Sequence, residues 1–168
     1  MKFYLSGKMT GLKPEQIWKN FKCVENMVKT WNGCESVMNP AVTYAMEKFD
    51  AFSYEDWLKI DFAMLDACDA VVLLPNWENS MGAKREIVHA WETGKKIFLP
   101  VVEDKYHADK KFTDGKRYMW YDGYKDKILN IVIEMKKHDI QKKIDEAKDA
   151  ALTAAAIESI KENPPKEA

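Results

Sequence analysis

The chain reads as an α/β sandwich built on a mainly parallel sheet of four to five strands, followed by a C-terminal helix. Three observations predict it. Short apolar runs rich in β-formers alternate with stretches of helical periodicity from residue 2 to residue 102, which is the pattern of successive βαβ units. The run Asp69-Ala-Val-Val-Leu-Leu-Pro75 is apolar on both faces, as a strand inside a parallel sheet must be. A length of 168 residues, 46% hydrophobic and 32% charged, suits a single domain that builds a core.

Each element has its own local signal. Lys2-Phe-Tyr-Leu-Ser6 is a β-forming run stopped by Gly7. Pro14 opens a helix whose stripe, Ile17, Phe21, Val24 and Val28, is expected to reach about Trp31. Glu35–Met38 is a second short strand, closed by Asn39-Pro40, and a helix from about Ser53 carries Trp57, Ile60, Met64 and Leu65. After the strand that begins at Asp69, a helix runs from about Ser80 to Thr93, with Gly94 as its stop. Lys96–Val102 is a fourth strand. Residues 103–122, with Trp120 and Tyr121, are expected to form a long loop of the kind that serves as a lid. Ile128, Val132 and Met135 begin a last helix, whose pattern continues through Ile140, Ile144 and the Ala-rich stretch 146–156. The expected organisation is a domain over residues 1–137, a helical extension over 138–162 and a disordered Pro/Lys/Glu-rich tail over 163–168. There is no internal repeat.

Composition excludes several classes. With 26 Lys plus Arg against 27 Asp plus Glu, the formal charge is −1, so no bulk positive field attracts a nucleic-acid polymer or an anionic membrane. No apolar run approaches the roughly 20 residues of a membrane span, and the opening residues are too short for a signal peptide's apolar region. A cytoplasmic protein is expected. Cys23, Cys34 and Cys68 form no C-x-x-C pair and have no His at zinc-like spacing. They read as buried or incidental thiols. His89, His107 and His138 are scattered along the chain. No metal and no cofactor is expected.

Ligands of open α/β sheets bind outside the carboxyl ends of the strands. Three segments meet there: Ser6-Gly7-Lys8-Met9-Thr10-Gly11, then Asn39-Pro40, then Pro75-Asn76-Trp77-Glu78-Asn79-Ser80-Met81-Gly82. Ser80 and Gly82 fall at a helix N-terminus, where free N–H groups and the helix dipole favour an anion. Neither the dinucleotide fingerprint nor the P-loop pattern is present. Glu86, six residues after Ser80, has two readings. It is either an ionised carboxylate facing the cleft, as a nucleophile toward an anomeric carbon would be, or a solvated side chain on an exposed face beside Lys84 and Arg85. Asp61, one helical turn after Trp57, is either a second carboxyl able to protonate a leaving group or an ordinary surface residue. Asp69 reads most simply as a turn or edge carboxylate. Tyr4 is either core or a hydroxyl that orients a neighbouring carboxylate.

Taken together, Tyr4-Leu5-Ser6-Gly7, the Asp61 to Asp69-Ala-Val-Val spacing, and Ser80-Met81-Gly82-Ala83-Lys84-Arg85-Glu86 with Ala90 and Gly94 resemble the nucleoside 2-deoxyribosyltransferase superfamily over roughly residues 2–102. More closely, they resemble the small phage and bacterial proteins of that group. The resemblance implies a flavodoxin/Rossmann-like fold and a covalent glycosyl-Glu86 intermediate, with Tyr4 holding Glu86 and Asp61 assisting the departing base. It also implies that Ser80 and the first glycine loop hold a 5′-phosphate where the substrate has one, and that the protein is a homo-oligomer. Thr10 stands where related 2′-deoxynucleoside 5′-phosphate N-hydrolases carry Arg; Lys8 is the alternative cation. Trp77 is either an aromatic face for a base or plain packing. The expected catalytic set is therefore Glu86, Asp61 and Tyr4. The expected substrate-binding set is Ser6, Gly7, Lys8, Met9, Asn39, Trp77, Ser80 and Gly82. The expected activity is N-glycosidic bond cleavage or deoxyribosyl transfer on a small-molecule nucleoside or nucleoside 5′-monophosphate. The alternatives are a non-catalytic nucleotide-binding protein and a glycohydrolase acting on NAD or cyclic ADP-ribose.

Overall fold

The computed structural model describes residues 1–46, 52–102, 118–122 and 125–162. The chain divides into two units, Met1–Val132 and Ile133–Ala168. The first unit carries the sheet. Its strands β1 (Lys2–Ser6), β2 (Ser36–Met38), β3 (Ala70–Leu73) and β4 (Lys96–Val102) run parallel, and β5 (Tyr118–Asp122) pairs antiparallel with β4. The order β2-β1-β3-β4-β5 is that of flavodoxin-like doubly wound sheets, in which the crevice for a ligand opens between β1 and β3. The helices are α1 (Pro14–Val28), α2 (Tyr54–Asp66), α3 (Met81–Glu92) and α4 (Lys125–Glu162), with 3-10 turns at Pro40–Met46 and Trp77–Asn79.

The two-residue period of β1 sorts its side chains between two layers. Phe3 and Leu5 enter one core cluster with Ile17, Phe21, Val24 and Val28 of α1 and with Ala70, Val72 and Leu74. Tyr4 and Ser6 consequently face the other side, where both reach α3. Strand β3 is buried at every position, as its doubly apolar sequence requires. Asp69 ties the start of β3 to β1: its N–H donates to the Lys2 carbonyl at 2.9 Å, and the Lys2 N–H donates to its Oδ2 at 2.7 Å. It lies at the amino ends of the strands and is structural. Gly94 closes α3 with φ +69°, a conformation that glycine adopts at little cost.

The structure departs from the sequence reading at three places. Helix α1 ends at Val28, and the Trp31 ring beyond it meets Phe3 edge-on with centroids 5.5 Å apart. The buried residues of α2 are Leu58 and Leu65, while Trp57, Ile60 and Met64 are only partly covered. Residues 118–122, expected as loop, form β5. There the Trp120 Nε1–H donates to the Leu73 carbonyl at 2.7 Å, and the ring packs on the core. The rest of the expected lid, 103–117, and the expected tail, 163–168, lie outside the described residues.

Helix α4 takes up the predicted last helix from Lys125 onward. Ile128, Ile131 and Val132 are buried, whereas Ile140, Ile144 and Leu152 in the second unit are exposed. No helix among the described residues is long and apolar enough to cross a membrane.

Candidate active site

A cavity of about 560 Å³, within the range of small-molecule sites, opens at the carboxyl ends of β1 and β3. Four stretches of chain wall it: Gly7–Thr10 after β1, Thr43 on the first 3-10 turn, one face of α2, and Asn79–Ala83 at the start of α3 with Glu86 one turn further on. Close approach of the loop after β1 to the segment that follows β3 depends on Gly7, because a Cβ there would lie 2.7 Å from Leu74 Cβ. The Leu74 N–H donates to the Ser6 carbonyl at 2.7 Å, and the Lys8 N–H donates to Asn76 Oδ1 at 3.3 Å, which holds the loop over β3. Ser80 caps α3, its Oγ accepting from the Ala83 N–H at 3.2 Å. The N–H groups of Met81 and Gly82, at the helix start where no intrahelical acceptor is available, belong to residues that line the cavity.

Glu86 is buried, with 5% of its surface exposed. The Tyr4 Oη donates to its Oε1 at 2.5 Å and the Ser6 Oγ donates to its Oε2, so each carboxylate oxygen is held by a hydroxyl from the same face of β1. The reading of Glu86 as a solvated side chain is thereby overturned. Its neighbour Arg85 turns away instead, donating to Glu55 at 3.2 Å and lying 5.6 Å from the Tyr54 ring centroid.

The electrostatics do not leave Glu86 as the freely ionised carboxylate of the nucleophile reading. Burial, and next the negative charge of Asp61, push the Glu86 carboxyl up to about 8, against the pull of the Ser6 and Tyr4 hydroxyls. Burial likewise raises Asp61 to about 6, against a hydrogen bond to Tyr4. Tyr4 itself is held well above its ordinary value, chiefly by burial and then by Glu86 and Asp61. Near neutral pH the two carboxyls therefore retain one proton between them. Burial holds that proton more strongly on Glu86 than on Asp61. The Tyr4 hydroxyl, which donates to Glu86, pulls both carboxyls downward and so favours the ionised form of either. The tautomer of the pair with Glu86 ionised and the proton on Asp61 is the one competent for attack on a carbon with protonation of its leaving group.

Of the sequence-predicted residues, Gly7, Lys8, Met9, Asp61, Ser80, Gly82 and Glu86 line the cavity, and Tyr4 lies buried behind Glu86. Ser6 moves from the substrate-binding group to the support of Glu86. Two residues leave the site. The Asn39 side chain is buried, with its Nδ2 donating to Glu25 at 2.8 Å and its Oδ1 accepting from the Ala41 N–H. It shapes the 3-10 turn, and it is Thr43 on that turn that reaches the cavity. Trp77 is 3% exposed; the 3-10 turn folds its ring inward beneath the ammonium of Lys127, which also pairs with Glu78, so plain packing is the correct reading.

Sequence reasoning missed Tyr54 as a site residue and placed Trp57 only in a helical stripe. The signal was present, since 54, 57 and 61 are spaced by three and four and so share a helix face. Among the described residues there is no group of three or more His, Cys, Asp or Glu placed to hold a metal ion.

A family model described as a domain of unknown function, DUF4406, matches residues 1–99, more than half of the 168 residues. All the residues that line the cavity fall inside the matched span. No curated protein matches the chain. The chain belongs to the DUF4406 family.

Proposed function

We propose that this member of the DUF4406 family cleaves an N-glycosidic bond, by hydrolysis or by transfer of the sugar, in a nucleoside or nucleoside 5′-monophosphate, 2′-deoxyribosyl substrates being those that the resemblance to nucleoside 2-deoxyribosyltransferases favours. The observation that carries this reading is the buried Glu86, clamped at both oxygens and set at the edge of a ligand-sized cavity with a second raised carboxyl, Asp61, beside it.

In the first step a Glu86 oxygen attacks C1′ of the sugar. The C1′–N bond breaks, its electron pair goes to the ring nitrogen of the base, and the Asp61 proton follows it, which leaves a neutral base and a glycosyl ester on Glu86. In the second step water, or the nitrogen of another base, attacks C1′. Asp61 takes up the proton that the nucleophile loses, and Glu86 departs as a carboxylate. Tyr4 and Ser6 fix the carboxylate so that little reorganisation accompanies attack. Lys8, the Ser80 hydroxyl and the first N–H groups of α3 suit the 5′ end of the substrate, a phosphate included.

The test is release of free base from a panel of ribo- and 2′-deoxyribonucleosides and their 5′-monophosphates, followed by chromatography. Wild type is expected to release base from at least one of them, and Glu86→Gln to fall by three or more orders of magnitude with an unchanged circular dichroism spectrum. Mass spectrometry of wild type quenched during turnover should find the chain heavier by one sugar residue. Folded wild type that binds a nucleotide and returns it intact across the whole panel overturns the catalytic reading in favour of a binding protein.

A further inference from the structure

The cavity has two chemical halves. Glu86 and Asp61 are its acidic end. The wall rising from Asp61 is aromatic: Tyr54, Trp57 and Asp61 share one face of α2, and all three line the cavity. Both rings are braced from outside. Phe52 packs on Trp57 with centroids 5.3 Å apart and an interplanar angle of 56°, while the Arg85 guanidinium lies against the Tyr54 ring and is itself paired with Glu55. The thioether side chains of Met9 and Met81 belong to the same lining, and sulfur next to π faces accommodates flat rings of varied outline. The start of α2 is fixed in turn by a reciprocal cap, in which the Asp56 N–H donates to Ser53 Oγ and the Ser53 N–H to Asp56 Oδ2.

We propose that this wall is the seat of the departing base, with Trp57 as its specificity-determining platform, and that the leaving group is a planar aromatic nitrogen heterocycle. The proposal deepens the glycosidase reading and rests on it for the identity of the bond that breaks. A ring lying flat on Trp57 turns its edge along the helix toward Asp61, one turn away, where side chains are about 5–6 Å apart at Cβ. That places a ring nitrogen within reach of the carboxyl proton as the electron pair arrives. A sugar or an aliphatic amine gains nothing comparable from a π face. The sugar therefore belongs at the Glu86 end, and the base is recognised more by stacking than by a hydrogen-bond pattern, which predicts tolerance among bases.

The experiment uses the full chain, with free adenine, free cytosine and 2-deoxyribose as probes. In proton NMR, at least one base is expected to show upfield ring-current shifts on binding to wild type, and 2-deoxyribose none. Trp57→Leu should weaken that base by at least about fivefold, with Trp57→Phe restoring most of the affinity, as expected for a stacked base. Where turnover is measurable, Trp57→Leu should raise KM for the nucleoside by a similar factor. Absence of ring-current shifts in wild type overturns the proposal without any variant having to fold. So does equal base affinity in a folded Trp57→Leu. The two readings separate cleanly: stacked bases without any base release sink the glycosidase and leave the aromatic seat, whereas base release with KM unchanged in Trp57→Leu does the reverse.

Discussion

Taking the phenolic oxygen from Tyr4 removes one of the two donors on Glu86 and the link between Glu86 and Asp61, yet leaves the ring that fills the layer under α3. A hydrogen bond to a charged group contributes about 1.5–3 kcal/mol, so Tyr4→Phe is expected to slow turnover by roughly ten- to a hundredfold. The direction of the accompanying pH effect follows from which form the hydroxyl supports. Tyr4 stabilises ionised Glu86, so its loss moves the Glu86 titration further above its ordinary range, and the pH profile of kcat/KM should shift to higher pH. A profile unmoved in position would mean that Tyr4 does not control the carboxylate. At this scale Glu86 and Tyr4 were legible as candidates only, each beside a plainer reading, and it was the resemblance that paired them; the strand period and the helix start explain why positions 4 and 86 share one layer. Trp77 and Asn39 were not. Both stand in loops at the correct sheet edge, but a single 3-10 turn decides whether a loop side chain points into the crevice or beneath it, and no periodicity reports that choice.

Helix α3 delivers Glu86, and its first turn depends on Ser80. Losing the cap hydrogen bond costs about 1 kcal/mol, equivalent to about 2–4 °C for a chain of this size. Ser80→Ala should therefore melt that much lower in calorimetry, and Ser80→Asn, which also caps, should recover the temperature. If the hydroxyl also contacts substrate, KM stays raised in Ser80→Asn despite the restored fold; if Ser80→Ala melts like wild type, the cap contributes nothing. The elements flanking this helix were the easiest to read. Strand β3 is doubly apolar, and Gly94 ends α3 at a position that requires left-handed backbone. Strand β5 was not legible as a strand, since Tyr118–Asp122 follows a polar stretch and its partner β4 is set by pairing distant in sequence. The cleft-facing side of α2 escaped for another reason: a tryptophan in a helical stripe counts as core until the neighbour that would cover it is known.

For the whole molecule, the buried carboxyls make stability depend on pH with opposite signs in two windows. Burial raises Glu25 somewhat, but hydrogen bonds from Lys22, Lys29 and Asn39 outweigh it and bring the group from 4.5 to about 2. Its contribution is present above about pH 4.5 and disappears as the pH falls through about 2. Glu86, raised from 4.5 to about 8, and Asp61, raised from 3.8 to about 6, behave in reverse. Between those limits the folded chain keeps protons that the unfolded chain has released. Their contribution is therefore complete only at or below about pH 4, declines as the pH rises, and is gone by about pH 8. The chain should be most stable near pH 4–5 and should melt several degrees lower at pH 8 than at pH 5. Glu86→Gln, which keeps the shape of the side chain and cannot ionise, should remove most of that decline, and Asp61→Asn should remove the lower part of it. Calorimetry at fixed ionic strength distinguishes the outcomes. A wild-type melting temperature flat from pH 5 to pH 8, or a decline equally steep in Glu86→Gln, would mean that the pair at the bottom of the cavity is ionised in the folded chain as freely as in water. The pair would then hold no proton at neutral pH for Asp61 to pass to a departing base.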